Sequence, residues 1–254
     1  MDPFRQEPTT WRLALPVGAL ALGFGALGAM SVASGDFAFQ WQPVPAEVPA
    51  RATLAMGAGA LELVAAAMLL PARLRAAGAW LAGLLLFGWT LLHVPSVVQK
   101  PASIADWLGV AESAAMACGA LTLAAAGFGV AAAGKIRRVC AIVFGASALV
   151  FGLSHFAYAD FTASMIPAWL PQRVALAWFT GAAHALAGLA ILTGIRRALA
   201  ATLEGVMMAS FVVLVHLPRV LGHPESRFEW TMLFVAVTLS ACAGLVAELS
   251  ARAR

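Results

Sequence analysis

Eight apolar runs, each close to the length a lipid bilayer demands, fix what this chain can become. They cover residues 12–33, 52–71, 76–98, 107–131, 138–157, 173–194, 198–218 and 229–250. A hydrocarbon core of about 30 Å takes about 20 helical residues to cross. Hydrophobic residues make up 62% of the 254 and charged residues only 11%, so little of the chain is left to cover a water-facing surface. Inside lipid every backbone polar group must be bonded within the protein, which leaves helices and closed barrels as spanning structures. Barrel strands alternate apolar and polar residues, whereas these runs are continuously apolar. The expectation is an all-α membrane protein with eight transmembrane helices. The first run follows Arg5 and Arg12 but is longer than a signal-peptide core, and it is read as a helix.

The chain repeats itself. Leu92-His93-Val94-Pro95 returns 123 residues later as Val215-His216-Leu217-Pro218. Pro101, Ser103, Asp106 and Trp107 are then answered in register by Pro224, Ser226, Glu229 and Trp230. Such register over polar, Pro and Trp positions indicates duplication, with one unit over 1–134 and a second over 135–254. Each unit holds four spans, an even number, so both enter the membrane from the same side. The two four-helix repeats are therefore expected to be parallel. Ala132 to Arg137 reads as a short basic loop between them. Pro95 and Pro218 are expected to end the third and seventh helices, with Asp106 and Glu229 near the start of the next, where a carboxylate favours a helix N-terminus.

Orientation follows from the cations. Arg5, Arg12, Arg73, Arg75, Lys135, Arg137, Arg138, Arg196, Arg197, Arg252 and Arg254 fall on one side. Only Arg51, Lys100, Arg173, Arg219 and Arg227 fall on the other. Lys and Arg are retained on the cytoplasmic side of short loops, which places both termini in the cytoplasm of a bacterial-type inner (plasma) membrane. The formal charge of +4 is then a topology signal; scattered cations do not form the concentrated basic face that nucleic acid requires. The longer loops, 34–51 and 158–172, lie outside. Cys118, Cys140 and Cys242 lie within spans without CxxC pairing and read as packing residues.

Ionisable groups inside spans are costly and become candidates for function. Glu62 in the second span and His184 in the sixth correspond to within a residue or two in the repeat. His93, His155 and His216 lie at the outer ends of spans, with Trp169 and Arg173 in adjoining positions. Imidazole, guanidinium and indole at one depth suit a quinone carbonyl, an anion or a lipid headgroup, and equally an interfacial belt. Glu112 and Glu204 answer the apolar Val235 and Leu81, and snorkelling or pairing with a nearby Arg accounts for them. No metal site is expected, since no tight His/Cys cluster or CxxCH is present. No catalytic residue is assigned, because Ser-His-Asp order, a phosphate-cradling Gly loop and HExxH are all missing.

Phe151-Gly152-Leu153-Ser154-His155-Phe156, Met165-Ile166-Pro167-Ala168-Trp169-Leu170-Pro171 and Thr180-Gly181-Ala182-Ala183-His184-Ala185-Leu186-Ala187-Gly188 resemble the DoxX-like integral membrane proteins. The first half looks like a more diverged copy, with Trp41-Gln42-Pro43-Val44-Pro45 for the loop and Gly59-Ala60-Leu61-Glu62 for the second-span signature. His155 stands where many members have Lys, and His184 where many have Glu. The resemblance implies four-helix units, here in tandem. It also implies kinship with the small membrane subunit of a thiosulfate:quinone oxidoreductase and with partners in membrane-bound redox assemblies.

The expected function is an accessory or anchor subunit of a membrane-bound redox or respiratory complex. It would be at most a non-catalytic or quinone-interacting subunit of an oxidoreductase, in contact with lipid and with membrane or periplasmic partner subunits. It would hold no cofactor of its own and offer a quinone or lipid pocket near His155, His184, Arg173, Trp169 and His216, with Glu62 and His93 in the first half. The alternatives are a small-molecule or lipid permease with Glu62 and His184 lining a path between the repeats, and a purely structural assembly subunit.

Overall fold

The computed structural model describes residues 10–251; Arg5, Arg252 and Arg254 of the topology reading lie outside them. The described chain is helical, with no strand among its residues. Four long helices come first: α1 (Thr10–Ser34), α2 (Arg51–Leu69), α3 (Arg75–Gln99) and α4 (Ile104–Ala124). After a 3-10 turn at Ala125–Gly127 come α5 (Val130–Ala157), the short α6 (Ala159–Met165) and α7 (Arg173–Thr193). Then α8 (Arg197–Phe211) runs through a π-helical turn (Val212–His216) into α9 (Leu217–Gly222), and α10 (Arg227–Ala251) closes the chain. Eight of the resulting helical segments are long and apolar enough to cross a membrane, and the chain is a multi-pass membrane protein. Consecutive spans alternate in direction, so the loops at 35–50, 100–103, 158–172 and 223–226 gather at one end of the bundle.

Three local expectations are corrected. The stretch Ala132–Arg137 is not a loop: α5 begins at Val130, because its Ala, Lys and Arg residues are good helix formers even where their charge excludes them from lipid. Residues 158–172 are not wholly irregular, since α6 occupies Ala159–Met165. Neither His-x-Pro proline ends its helix. Pro95 lies inside α3, which continues to Gln99. Pro218 follows the π turn, and helix continues to Gly222. Spanning helices tolerate proline when local π adjustment and neighbouring groups satisfy the backbone it frees, and the wider π turn lies just ahead of the Pro218 ring.

Glycine sets the closest crossings. A Cβ on Gly28 of α1 would lie 2.6 Å from the Gly59 carbonyl of α2, and one on Gly152 of α5 would lie 2.7 Å from the Gly181 carbonyl of α7. No side chain fits between backbones at that distance, and lipid offers little hydrophobic drive to hold looser helices together. The remaining long helices pack as α3 on α4, α8 on α10, α4 on α5, and α1 on α10, while α4 meets α10. At this last contact Gly119 faces the Cys242 side chain, whose thiol lies 3.3 Å from the Met116 carbonyl. All three cysteines are buried and unpaired.

The turns into α4 and α10 carry the same bonds 123 residues apart. The Trp107 indole N–H donates to the Pro101 carbonyl at 3.0 Å, and the Trp230 indole to the Pro224 carbonyl at 2.9 Å. Ser103 and Ser226 accept at 3.3 Å from the N–H groups of Asp106 and Glu229, the capping bond that satisfies an orphan donor of the first turn. Replacing Gly28 or Gly152 by Leu is expected to lower stability by about 1–3 kcal/mol or more through overpacking. Gly57→Leu, with nothing within 4 Å of its Cβ position, should leave it unchanged. Thermal unfolding of the purified protein in detergent checks both.

Candidate functional site

Three residues beyond each close glycine crossing, an ionisable side chain is carried into the bundle: Glu62 on α2 and His184 on α7, both buried. A buried polar group without a partner costs several kcal/mol in so apolar a setting. The two positions meet that demand differently.

At Glu62 the partners come from the loop after α1 and from α3. Left-handed backbone at Gly35 and Gln40 folds Phe37, Ala38, Trp41 and Gln42 back among the helices, where all four are buried. The Ala38 N–H donates to Gln42 Oε1 at 2.7 Å, which turns the amide nitrogen toward Glu62. Gln42 Nε2 then donates to Glu62 Oε1 at 2.6 Å, and the Trp89 indole donates to the same oxygen at 3.1 Å. Phe37 packs edge-on against Trp89, ring centres 5.8 Å apart. Asp36 pins the loop: it pairs with Arg51, and Arg227 of α10 donates to the carbonyls of Asp36 and Phe37 at 2.6 and 3.0 Å. Burial alone would push the Asp36 carboxyl up. The hydrogen bonds from Arg51 and the Phe37 N–H, with the charges of Arg51 and Arg227, hold it below its usual range.

At His184 the hydrogen-bonding partner comes from a facing helix and not from a loop. The loop around α6 leaves Tyr158, Phe161 and Trp169 exposed, and beneath it lies a mainly apolar cavity of about 440 Å³, within the usual range for small-molecule sites. Its walls come from α4 (Leu108, Glu112), α5 (Phe151, His155), α7 (Thr180, His184), the end of α8 (Met208, Phe211), the π turn (His216) and α10 (Met232, Val235). Gln40 and Trp41 close one side. His184 Nδ1 lies 2.6 Å from Glu204 Oε1 on α8, and both side chains are almost wholly buried. His155 Nδ1 lies 2.9 Å from Thr180 Oγ1. The two imidazole rings meet edge-on, centres 5.0 Å apart, with Phe211 stacked on His155. His216 sits in the π turn, a feature common at functional sites, and its buried Nδ1 has no partner.

The structure thus brings His155, His184 and His216 to one cavity. Glu62 is sealed away by Gln42 and Trp89, and His93, buried in the first half, does not line the cavity. Trp169 stays exposed in its loop and Arg173 is exposed at the first residue of α7; neither lines the cavity. The reading of Glu112 and Glu204 as snorkelling or Arg-paired is corrected. Glu204 pairs with His184, and Glu112, which lines the cavity, accepts from the Trp41 indole at 2.6 Å. Glu204 is buried within its span and Glu112 lines the cavity, and each has an aromatic ring nitrogen as its partner. Arg219 is committed to Glu229 by two hydrogen bonds of 2.8 and 2.6 Å. Among the described residues no group of three His, Cys, Asp or Glu is placed to hold a metal ion.

No family model, curated protein or solved structure matches this chain. Glu204→Leu is expected to cost about 3–5 kcal/mol, because it strands a buried imidazole. The double change Glu204→Leu with His184→Phe should recover most of that loss. A double-mutant cycle on unfolding midpoints is the check.

Proposed function

We propose that this chain is a tandem DoxX-like protein that serves as an accessory or anchor subunit of a membrane-bound redox complex and holds a quinone in the cavity beside His155 and His184. The single observation that carries this is the cavity itself. An apolar volume between spanning helices, with three imidazoles and a carboxylate at its polar wall, suits a ligand with an apolar body and a small polar ring. The loop end, where Tyr158 and α6 stand, gives such a ligand its way in.

The two-repeat reading is supported by the paired glycine crossings and by the matched bonds of the Pro101–Trp107 and Pro224–Trp230 turns. Under it the helices of each half stand parallel to their counterparts. Arg12, Arg73, Arg75, Lys135, Arg137, Arg138, Arg196 and Arg197 gather at the end of the bundle opposite the long loops, which supports cytoplasmic termini in a bacterial inner membrane. The long loops then face the periplasm, where a partner subunit would dock. The permease reading is weakened by the sealing of Glu62, which removes one of the two residues that would line its path.

Decylubiquinone added to the purified protein in lipid nanodiscs should quench tryptophan fluorescence saturably. Ala236→Phe, which fills the cavity from α10, should weaken that binding by roughly tenfold or more while leaving the unfolding midpoint within a few degrees. Unsaturable quenching, or equal affinity in the filled variant, would remove the quinone pocket from the account.

A further inference from the structure

We infer that Trp41, carried in from the first half, is a positioning residue of the second half's cavity: its indole holds the Glu112 carboxyl group at one fixed place on the polar wall. This deepens the quinone reading and rests on it. Trp41 Nε1 donates to Glu112 Oε2 at 2.6 Å, and both residues line the cavity. The other carboxyl oxygen makes no hydrogen bond among the described residues, which leaves it for a ligand. A Glu side chain is among the costliest to order. A wall that already holds it therefore binds a ligand more tightly than one that must fix it at the moment of binding. An indole N–H donates to a carboxylate and to the carbonyl oxygen of a neutral acid alike, so the hold stands in either charge state.

Trp41 can hold the acid because it is itself held. The Gln42 N–H donates to the Ala38 carbonyl at 2.9 Å, and the Ala38 N–H returns a bond to the Gln42 side chain at 2.7 Å, which closes a turn around the indole. Asp36 ties the start of that turn to Arg51 and to Arg227 of α10. Phe39 packs edge-on against Phe228 of α10, ring centres 6.3 Å apart. Neighbouring residues of one loop thus serve acids on two helices: Gln42 donates to Glu62 of α2, and Trp41 to Glu112 of α4. The second half has no such arm. Its loop carries the same Trp-x-Pro order at Trp169 and Pro171, yet Trp169 is 68% exposed. Val235 stands where the repeat would set an acid to answer Glu112. An indole is turned inward only on the side where an acid receives it.

The test measures decylubiquinone bound to the full chain in nanodiscs, by extraction and chromatography with empty nanodiscs subtracted. The unchanged chain, Trp41→Phe, Glu112→Leu and the double variant are compared. Trp41→Phe is expected to weaken binding about fivefold or more. Glu112→Leu should weaken it about as much, and the double variant no further than either, because the indole acts through the acid. Unchanged affinity in Trp41→Phe, or losses that multiply in the double variant, would overturn this inference and leave the quinone pocket standing. Where Trp41→Phe does not fold, Glu112→Leu decides alone: an about fivefold loss supports the inference, and unchanged affinity overturns it. No binding to the unchanged chain would overturn both readings.

Discussion

Where α1 crosses α2 and where α5 crosses α7, glycine lets two backbones touch, and an ionisable side chain three residues further on is carried into the apolar layer. Everything distinctive in this bundle follows from the need to satisfy those two side chains. Lipid offers them no water, so each must find a hydrogen-bonding partner in the protein or in something bound to it. The glycine contact fixes where the side chain goes, and the surrounding helices and loops decide what meets it.

The two halves reach different solutions. On one side the 35–50 loop turns inward and delivers Gln42 to Glu62, held down by Asp36, Arg51 and Arg227. On the other the α6 loop remains at the surface, and His184 takes a carboxylate from the facing helix on one ring nitrogen only. Around Glu62 the space is filled by Phe37, Gln42 and Trp89, whereas beside His184 a cavity remains. A closed site and an open one thus stand beside two glycine crossings of the same kind.

Much of this was legible in the chain. Continuous apolar runs predict the spans, because length and hydropathy are direct readings of bilayer thickness, and the buried histidines stand out against so apolar a background. The partners of those histidines were less legible. Glu204 and Glu112 align with Leu81 and Val235, and an acid with an apolar counterpart reads as incidental. Yet α7 carries His184 three residues beyond its glycine crossing, where α2 carries Glu62, and an acid, Glu204, stands on the facing helix α8. A histidine on one span and an acid on the next is a sequence signal. No sequence signal distinguishes which long loop folds inward, since 34–51 and 158–172 share an Asp-Phe pair, a Trp and several prolines. The difference lies in backbone turns at Gly35 and Gln40 and in the reach of the Gln42 amide.

The contrast between the sealed and the open site is tested most directly by thiol accessibility. In a background with Cys118, Cys140 and Cys242 replaced by Ala, a small neutral methanethiosulfonate reagent would be applied to folded His184→Cys and Glu62→Cys proteins. Rapid modification at position 184, slowed by decylubiquinone, and protection at position 62 are expected. Equal rates at the two positions, or protection at 184, would contradict that contrast.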